Sequence, residues 1–160
     1  MSASTHGPAD AADVRVLPPL LFLASIALGV VLGSLLPLRF HAGGGIRVAL
    51  GVGAIALGVA LAAWTIAWMR RTHQDPDPRK PTPELILAGP FRLSRNPIYV
   101  GMALVQLGVG VALGNLWVLL LLPPTLYVLV RQVVEREEAY LARKFGEPYE
   151  AYRRSVRRWL

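Results

Sequence analysis

The sequence contains no cysteine, which excludes a disulfide framework, a thiolate nucleophile and any cysteine metal site. Histidine is almost as scarce. The three present, His6, His41 and His73, lie far apart in polar or loop-like segments and offer neither a zinc site nor a serine–histidine triad. No glycine-rich dinucleotide fingerprint occurs. Charge is sparse as well: charged residues make up 17% and hydrophobic residues 54% of the 160, a balance that makes lipid the expected solvent.

What the chain does have is long apolar runs. Residues 17–36, LPPLLFLASIALGVVLGSLL, suffice to cross ~30 Å of hydrocarbon as a helix, with Pro18 and Pro19 tolerated in the first turn. Pro37 and the glycines Gly43 to Gly45 mark a turn, and residues 46–69 form a second run, apolar apart from Thr65. A third span is predicted over residues 97–113 and a fourth over residues 116–134, with Gly114 and Asn115 turning the chain into an antiparallel hairpin. Pro123 and Pro124 predict a kink in the fourth span, which frees carbonyls that need partners inside protein. Gly29 with Gly33, Gly110 with Gly114, and the series Ala54, Gly58 and Ala62 put small residues at every fourth position, a pattern for close helix packing rather than for a cofactor. Gln106, an amide within the third span, is expected to bridge helices by a hydrogen bond.

The net charge is +7, and its distribution speaks of topology and anionic lipid rather than nucleic acid. Six Lys and Arg fall between Arg70 and Arg95 and eight between Arg131 and Arg158, against Arg39 and Arg47 alone between the first two spans. By the positive-inside rule, both termini and the connection over residues 70–96 are cytoplasmic, and the loop near His41 is outside. An inner or plasma membrane is the expected location. Residues 1–16 carry Asp10 and Asp13, the wrong charge for a signal peptide, and are expected to form a disordered tail.

After Val134 charges return at every second or third position, predicting two cytoplasmic helices. One covers residues 135–145 and stops at Gly146, and the other covers residues 149–158 with Pro148 near its start. Arg131 with Glu135, and Glu150 with Arg154, have helix-supporting spacing. Val134, Leu141 and Phe145 share a face with Glu137 and Glu138. Two carboxylates in an apolar stripe call for basic partners or a polar ligand, unless a slight rotation leaves both in water. The connection over residues 70–96 has four prolines before Glu84, so it is not one helix, and ordered loops of that length are often functional. It leads into GPFRLSRNPIYVG, residues 89–101. Here Asn96 can be an N-cap, Pro97 the first helical residue, Arg92 and Arg95 membrane anchors and Tyr99 part of the interfacial belt. Equally, a guanidinium and a helix N-terminus at the membrane surface suit a ligand carboxylate or phosphate.

Taken in order, Arg95-Asn96-Pro97-Ile98-Tyr99 before an apolar hairpin, then Glu137-Glu138, then Phe145-Gly146 with Tyr149 and Tyr152, resemble the signature shared by isoprenylcysteine carboxyl methyltransferases and phospholipid methyltransferases. The resemblance covers residues 85–160. It implies an all-α integral membrane protein of about four transmembrane helices with cytoplasmic C-terminal helices, in which residues 17–69 supply the first two spans and residues 70–160 the methyltransferase core. It also implies S-adenosylmethionine as cofactor and a lipophilic acceptor arriving from the bilayer, either the carboxylate of a prenylated cysteine-like compound or a lipid head group. The implied cofactor-binding residues are Gly89, Pro90, Arg95, Asn96, Pro97 and Tyr99 before the hairpin, and Glu137, Glu138 and Tyr149 after it, with no metal. Arg95 is matched to the methionyl carboxylate, Glu137 or Glu138 to the amino group or ribose hydroxyls, and Tyr99 and Tyr149 to the walls. Arg95 and Glu138 are the implied catalytic pair.

Two positions depart from the family's pattern. Asn96 stands where the family commonly has His; Asn can cap a helix and hydrogen-bond a ligand, but it does not titrate near neutrality. Phe91 stands where Tyr is frequent. Methyl transfer is an in-line displacement, so alignment and water exclusion carry it. A carboxylate acceptor needs no base, whereas an amine must pass its proton to a glutamate or to water. Two other classes stay open on sequence alone: a membrane reductase with a nicotinamide cofactor, and a non-enzymatic four-helix scaffold. The oligomeric state is not encoded in any motif.

Overall fold

A computed structural model of the chain describes Ala12, Val14, residues 16–40 and residues 43–160. Among the described residues the chain is helical, with a single β-bridge between Arg39 and Asn115. Helices α1 (Pro18–Leu35) and α2 (Gly44–Arg71) are followed by the long connection, a short 3-10 turn (Gly89–Arg92) and α3 (Pro97–Leu113). The chain returns through α4 (Leu116–Leu120), α5 (Leu122–Leu129), a π-helical turn (Val130–Val134) and α6 (Glu135–Phe145), then ends with α7 (Glu147–Ser155). Pro18–Leu35, Gly44–Arg71 and the run Leu116–Phe145 are long and apolar enough to cross a membrane, and Pro97–Leu113 is a shorter apolar helix. Leu20, Leu23 and Val31 on α1, and Leu50, Val52 and Leu57 on α2, remain exposed, the kind of surface that lipid tails cover. The protein is an all-α membrane protein.

Small residues set the closest helix pair. A Cβ on Gly58 would fall 2.5 Å from the Gly101 carbonyl oxygen, and one on Gly108 would fall 2.6 Å from that of Gly51, so α2 and α3 meet backbone to backbone. Gly29 likewise lies against Val118 of α4. The seam therefore uses Gly51, Gly101 and Gly108 in addition to the positions expected to pack. Gly114 serves the hairpin instead. At φ 62 it caps α3 in the left-handed region and turns the chain into α4.

The fourth span breaks where its prolines require. Pro123 and Pro124 lie in the first turn of α5 and the helix is interrupted at Leu121. Polar side chains gather beside the break: Gln106 Nε2 donates to Ser25 Oγ at 2.9 Å and to the Val118 carbonyl at 3.1 Å, and Thr125 Oγ1 donates to Ser25 Oγ at 2.7 Å. Gln106 is thus the interhelical bridge expected of it. At the same end as Gly114, Leu116 N–H donates to the Leu38 carbonyl and Phe40 N–H to that of Gly114, which ties the two interhelical turns together.

Three local expectations change. The fourth span does not end before α6; it runs into it through the π turn, which shifts the register of α6 and has no signature in the sequence. The last helix spans Glu147–Ser155 rather than residues 149–158, and Val156 is extended at φ −122, ψ 133. The carbonyls that follow are taken by Ser94, Arg95 and Asn96 instead of by a helix. Of the tail expected to be unpacked, Ala12 and Val14 are buried in one cluster with Phe22, Tyr99, Leu129, Val133, Val134 and Tyr140, because apolar side chains find an apolar groove there. The rest of that tail, apart from Val16, and His41 lie outside the described residues.

Candidate functional site

The site forms at the end of the bundle where α2 ends, α3 begins and α6 leaves the spans. Gly89, at φ +62, opens the 3-10 turn, and a Cβ there would fall 2.6 Å from the Trp68 ring, so the turn lies tight on α2 with Pro90 buried. The C-terminal segment then crosses behind it. Arg95 N–H donates to the Arg157 carbonyl at 3.0 Å, Ser94 Oγ to the Arg158 carbonyl at 3.1 Å, and Tyr152 Oη to the Phe91 carbonyl at 2.7 Å. Asn96 stands at the N-cap position of α3 but does not cap with its side chain. Its Nδ2 donates to the Arg158 carbonyl at 3.0 Å, and its own N–H donates to Ser94 Oγ at 3.0 Å.

This scaffold turns Arg95 inward. Its Nη2 lies 3.1 Å from Glu138 Oε1, with the two side chains 10% and 13% exposed. Glu138 is also held by Arg158, whose Nε donates to Oε1 at 3.1 Å and whose Nη2 donates to Oε2 at 2.6 Å. Glu138 is thereby committed to two guanidiniums. Arg95 is not fully used, because its Nε and Nη1 are buried without a hydrogen-bond partner. Unsatisfied guanidinium donors are costly to bury, and an anionic group would satisfy them.

The cleft in front of Arg95 encloses about 800 Å³ including its open mouth. Arg95, Asn96, Glu137, Glu138 and Tyr149 line it together with Phe91, Leu141 and Tyr152. Burial pushes the Tyr149 phenol up to about 12, so at neutral pH it is an O–H donor in the wall. Tyr99 sits one step behind: its Oη donates to Glu137 Oε1 at 2.9 Å, and its ring lines a second, mainly apolar pocket with Leu17, Pro18, Ile66, Ile98 and Met102. Gly89, Pro90 and Pro97 shape the backbone and do not line the cleft.

The connection before the 3-10 turn folds over the cleft, an arrangement that its prolines alone do not foretell. Gln74, Asp75 and Asp77 line it. Two local turns hold the loop, with Asp77 N–H donating to Asp75 Oδ1 and Arg79 N–H to Asp77 Oδ1. Ion pairs add Arg79 on Asp77 at 2.7 Å and Lys80 on Asp75 at 2.5 Å, and Thr82 N–H reaches Tyr140 Oη on α6 at 3.2 Å. Arg158 was not foreseen either, since nothing in its spacing links it to Glu138. Among the described residues no cluster of ligand-type side chains could hold a metal ion.

Residues 46–148 match the family model described as phospholipid methyltransferase. Over 72 residues, 45% of this chain, the sequence is 39% identical to the Protein-S-isoprenylcysteine O-methyltransferase of Schizosaccharomyces pombe, and the match spans 30% of that relative's length. No solved structure gives a significant match.

Proposed function

Because the chain belongs to the phospholipid methyltransferase family, we propose that this membrane protein transfers a methyl group from S-adenosylmethionine to a lipophilic acceptor. The observation that carries the reading is Arg95, which lines the cleft, is paired with Glu138, and has Nε and Nη1 buried without a partner. A methionyl carboxylate supplies the anion those donors lack, so the residues present fit this cofactor. When bound, S-adenosylmethionine contributes a methyl group on a sulfonium, which needs no metal to leave.

The chain's own residues bind, orient and keep out water. Arg95 takes the carboxylate. Glu138 and Arg158 hold Arg95 in one rotamer, which puts them in a positioning role. Phe91, Tyr149 and Tyr152 give the cleft aromatic walls, and Tyr149 keeps its hydroxyl hydrogen. The apolar pocket beside Tyr99 receives the acceptor's hydrocarbon part from the bilayer. The distribution of Lys and Arg supports a cytoplasmic cleft, open to the cofactor from that side.

Calorimetric titration of the purified protein with S-adenosylmethionine, and in parallel with a reduced nicotinamide dinucleotide, tests the reading. Saturable binding of the first alone is expected. Binding of the dinucleotide alone would favour a reductase, and binding of neither would favour a scaffold.

A further inference from the structure

Two stretches outside the spans run side by side at the end of the bundle where α3 begins. Residues 91–96 lead into α3, and residues 152–158 complete α7 and continue past it. Four hydrogen bonds join them: Arg95 N–H to the Arg157 carbonyl, Ser94 Oγ and Asn96 Nδ2 to the Arg158 carbonyl, and Tyr152 Oη to the Phe91 carbonyl. The side chains of Arg92, Leu93 and Arg157 take no part in these bonds and are exposed. The edge they form lies next to the apolar bundle, because Pro97 begins α3 one residue after Asn96.

The charges of this edge are unequally committed. Its two stretches carry six arginines. Arg95 and Arg158 are held by Glu138, Arg153 lies 3.4 Å from Glu150, and Arg154 lies 2.5 Å from Glu147. Arg92 and Arg157 engage no acid among the described residues. Apolar surface accompanies them. Leu87 and Leu93, which bracket the 3-10 turn Gly89–Arg92, are 48% and 55% exposed. Exposed leucines on α1 and α2 meet lipid tails, but these two lie outside the spans, where only the membrane surface keeps them from water. Unpaired guanidiniums beside exposed leucines at the start of a span suit the depth at which a bilayer offers phosphate and hydrocarbon together.

We propose that this edge is a binding site for an acidic phospholipid, with Arg92 and Arg157 on the head-group phosphate and Leu87 and Leu93 among the upper parts of the acyl chains. The inference goes beyond the proposed function and does not rest on it. A guanidinium offers paired donors to phosphate oxygens. In a zwitterionic lipid the head-group cation opposes the two arginines, so a lipid with net negative charge is preferred. Lipid seated here also ties to the membrane surface the segment that brings Arg158 to Glu138.

The test titrates the full chain in detergent with a short-chain phosphatidylglycerol, with phosphatidylcholine of the same chain length, and with inorganic phosphate, and reads bound molecules by native mass spectrometry. The parent is compared with Arg92→Gln/Arg157→Gln, with Leu87→Ser/Leu93→Ser, and with Arg39→Gln/Arg143→Gln as a control that removes two exposed arginines elsewhere. Every substituted side chain is exposed, and circular dichroism checks that each variant stays helical. The parent should prefer phosphatidylglycerol to phosphatidylcholine and hold it more tightly than inorganic phosphate. One arginine at an anionic surface is worth about fivefold, so the Arg92/Arg157 variant should lose at least about fivefold of that preference. The control should change it by less than about twofold, since its arginines lie off the edge. The leucine variant should weaken both lipids by at least about threefold while the preference between them is kept. A smaller loss in the Arg92/Arg157 variant, or an equal loss in the control, would overturn the proposal by making the attraction a matter of net charge. Unchanged lipid affinity in the leucine variant, or inorganic phosphate bound as tightly as the lipid, would overturn it by making the site one for a free anion.

Discussion

Replacing Arg95 by Ala probes the proposed cofactor site without dismantling it. Glu138 keeps its two contacts from Arg158 at 3.1 and 2.6 Å, so the substitution does not strand a buried carboxylate, the usual cause of collapse when an ion pair is cut. What disappears is a guanidinium only 10% exposed, two of whose nitrogens are buried without a partner. Truncating one partner of a buried, hydrogen-bonded charge pair costs on the order of 2–5 kcal/mol, and ~1.4 kcal/mol is tenfold in affinity. Even the lower figure weakens S-adenosylmethionine about thirtyfold. Arg95→Lys should fall between parent and Ala, because an ammonium can serve Glu138 or the ligand but not both in the fork geometry of a guanidinium. Calorimetric titration in detergent gives the affinities, and circular dichroism with size-exclusion chromatography checks that both variants remain helical and monodisperse. Unchanged affinity in a well-folded Arg95→Ala protein would leave Arg95 as a partner of Glu138 only and remove it from the cofactor site.

Further predictions concern the scaffold. Gly58→Leu places a side chain where even a Cβ meets the Gly101 carbonyl oxygen at 2.5 Å, so thermal unfolding in detergent should show a loss of at least about 1–3 kcal/mol, the usual cost of overpacking. Gly53→Leu has no atom within 4 Å of its Cβ and should unfold as the parent does. The Asp77 carboxyl is held down to about 2, first by the Arg79 side chain. Its folded value is depressed, so the stabilisation is complete above the ordinary value of ~3.9 and lost only as the pH falls through about 2. The Arg79 amide signal, whose N–H donates to Asp77, should therefore stay flat from neutral pH to ~4 in a micelle NMR titration. Reporter fusions at the C-terminus should be active only as cytoplasmic reporters; activity on the outer side would reverse the orientation and move the cleft away from the proposed cofactor.

The spans were legible because burial in lipid leaves a one-dimensional trace. The apolar runs over residues 17–36 and 46–69 match Pro18–Leu35 and Gly44–Arg71 to within two residues at each end, and Gly146 ends α6 where a glycine stop was expected. The meeting of Arg95 with Glu138 was legible from the hairpin, which returns the chain to the depth it left. Which of two adjacent glutamates meets the arginine was not. Neighbouring helical residues point ~100° apart, and the π turn at Val130–Val134 sets which one faces Arg95. Nor does any periodicity connect Arg158 to Glu138, or the Asn96 amide to the Arg158 carbonyl, since both depend on how the tail leaves α7. The α2–α3 seam was half visible. Gly58 stood in a small-residue series, but Gly51, Gly101 and Gly108 become a seam only once the two helices are placed side by side.

Methyl transfer to a membrane-borne lipophile can be reached by a single labelling experiment. Purified protein is incubated with methyl-labelled S-adenosylmethionine and a membrane lipid extract, the organic phase is separated, and label in it is counted for the parent and for Arg95→Ala. Label in a discrete lipid species with the parent, and a strong reduction with the variant, is the expected result. Label confined to the aqueous phase with folded parent protein, or equal labelling by parent and variant, would contradict methyl transfer through a cleft built around Arg95.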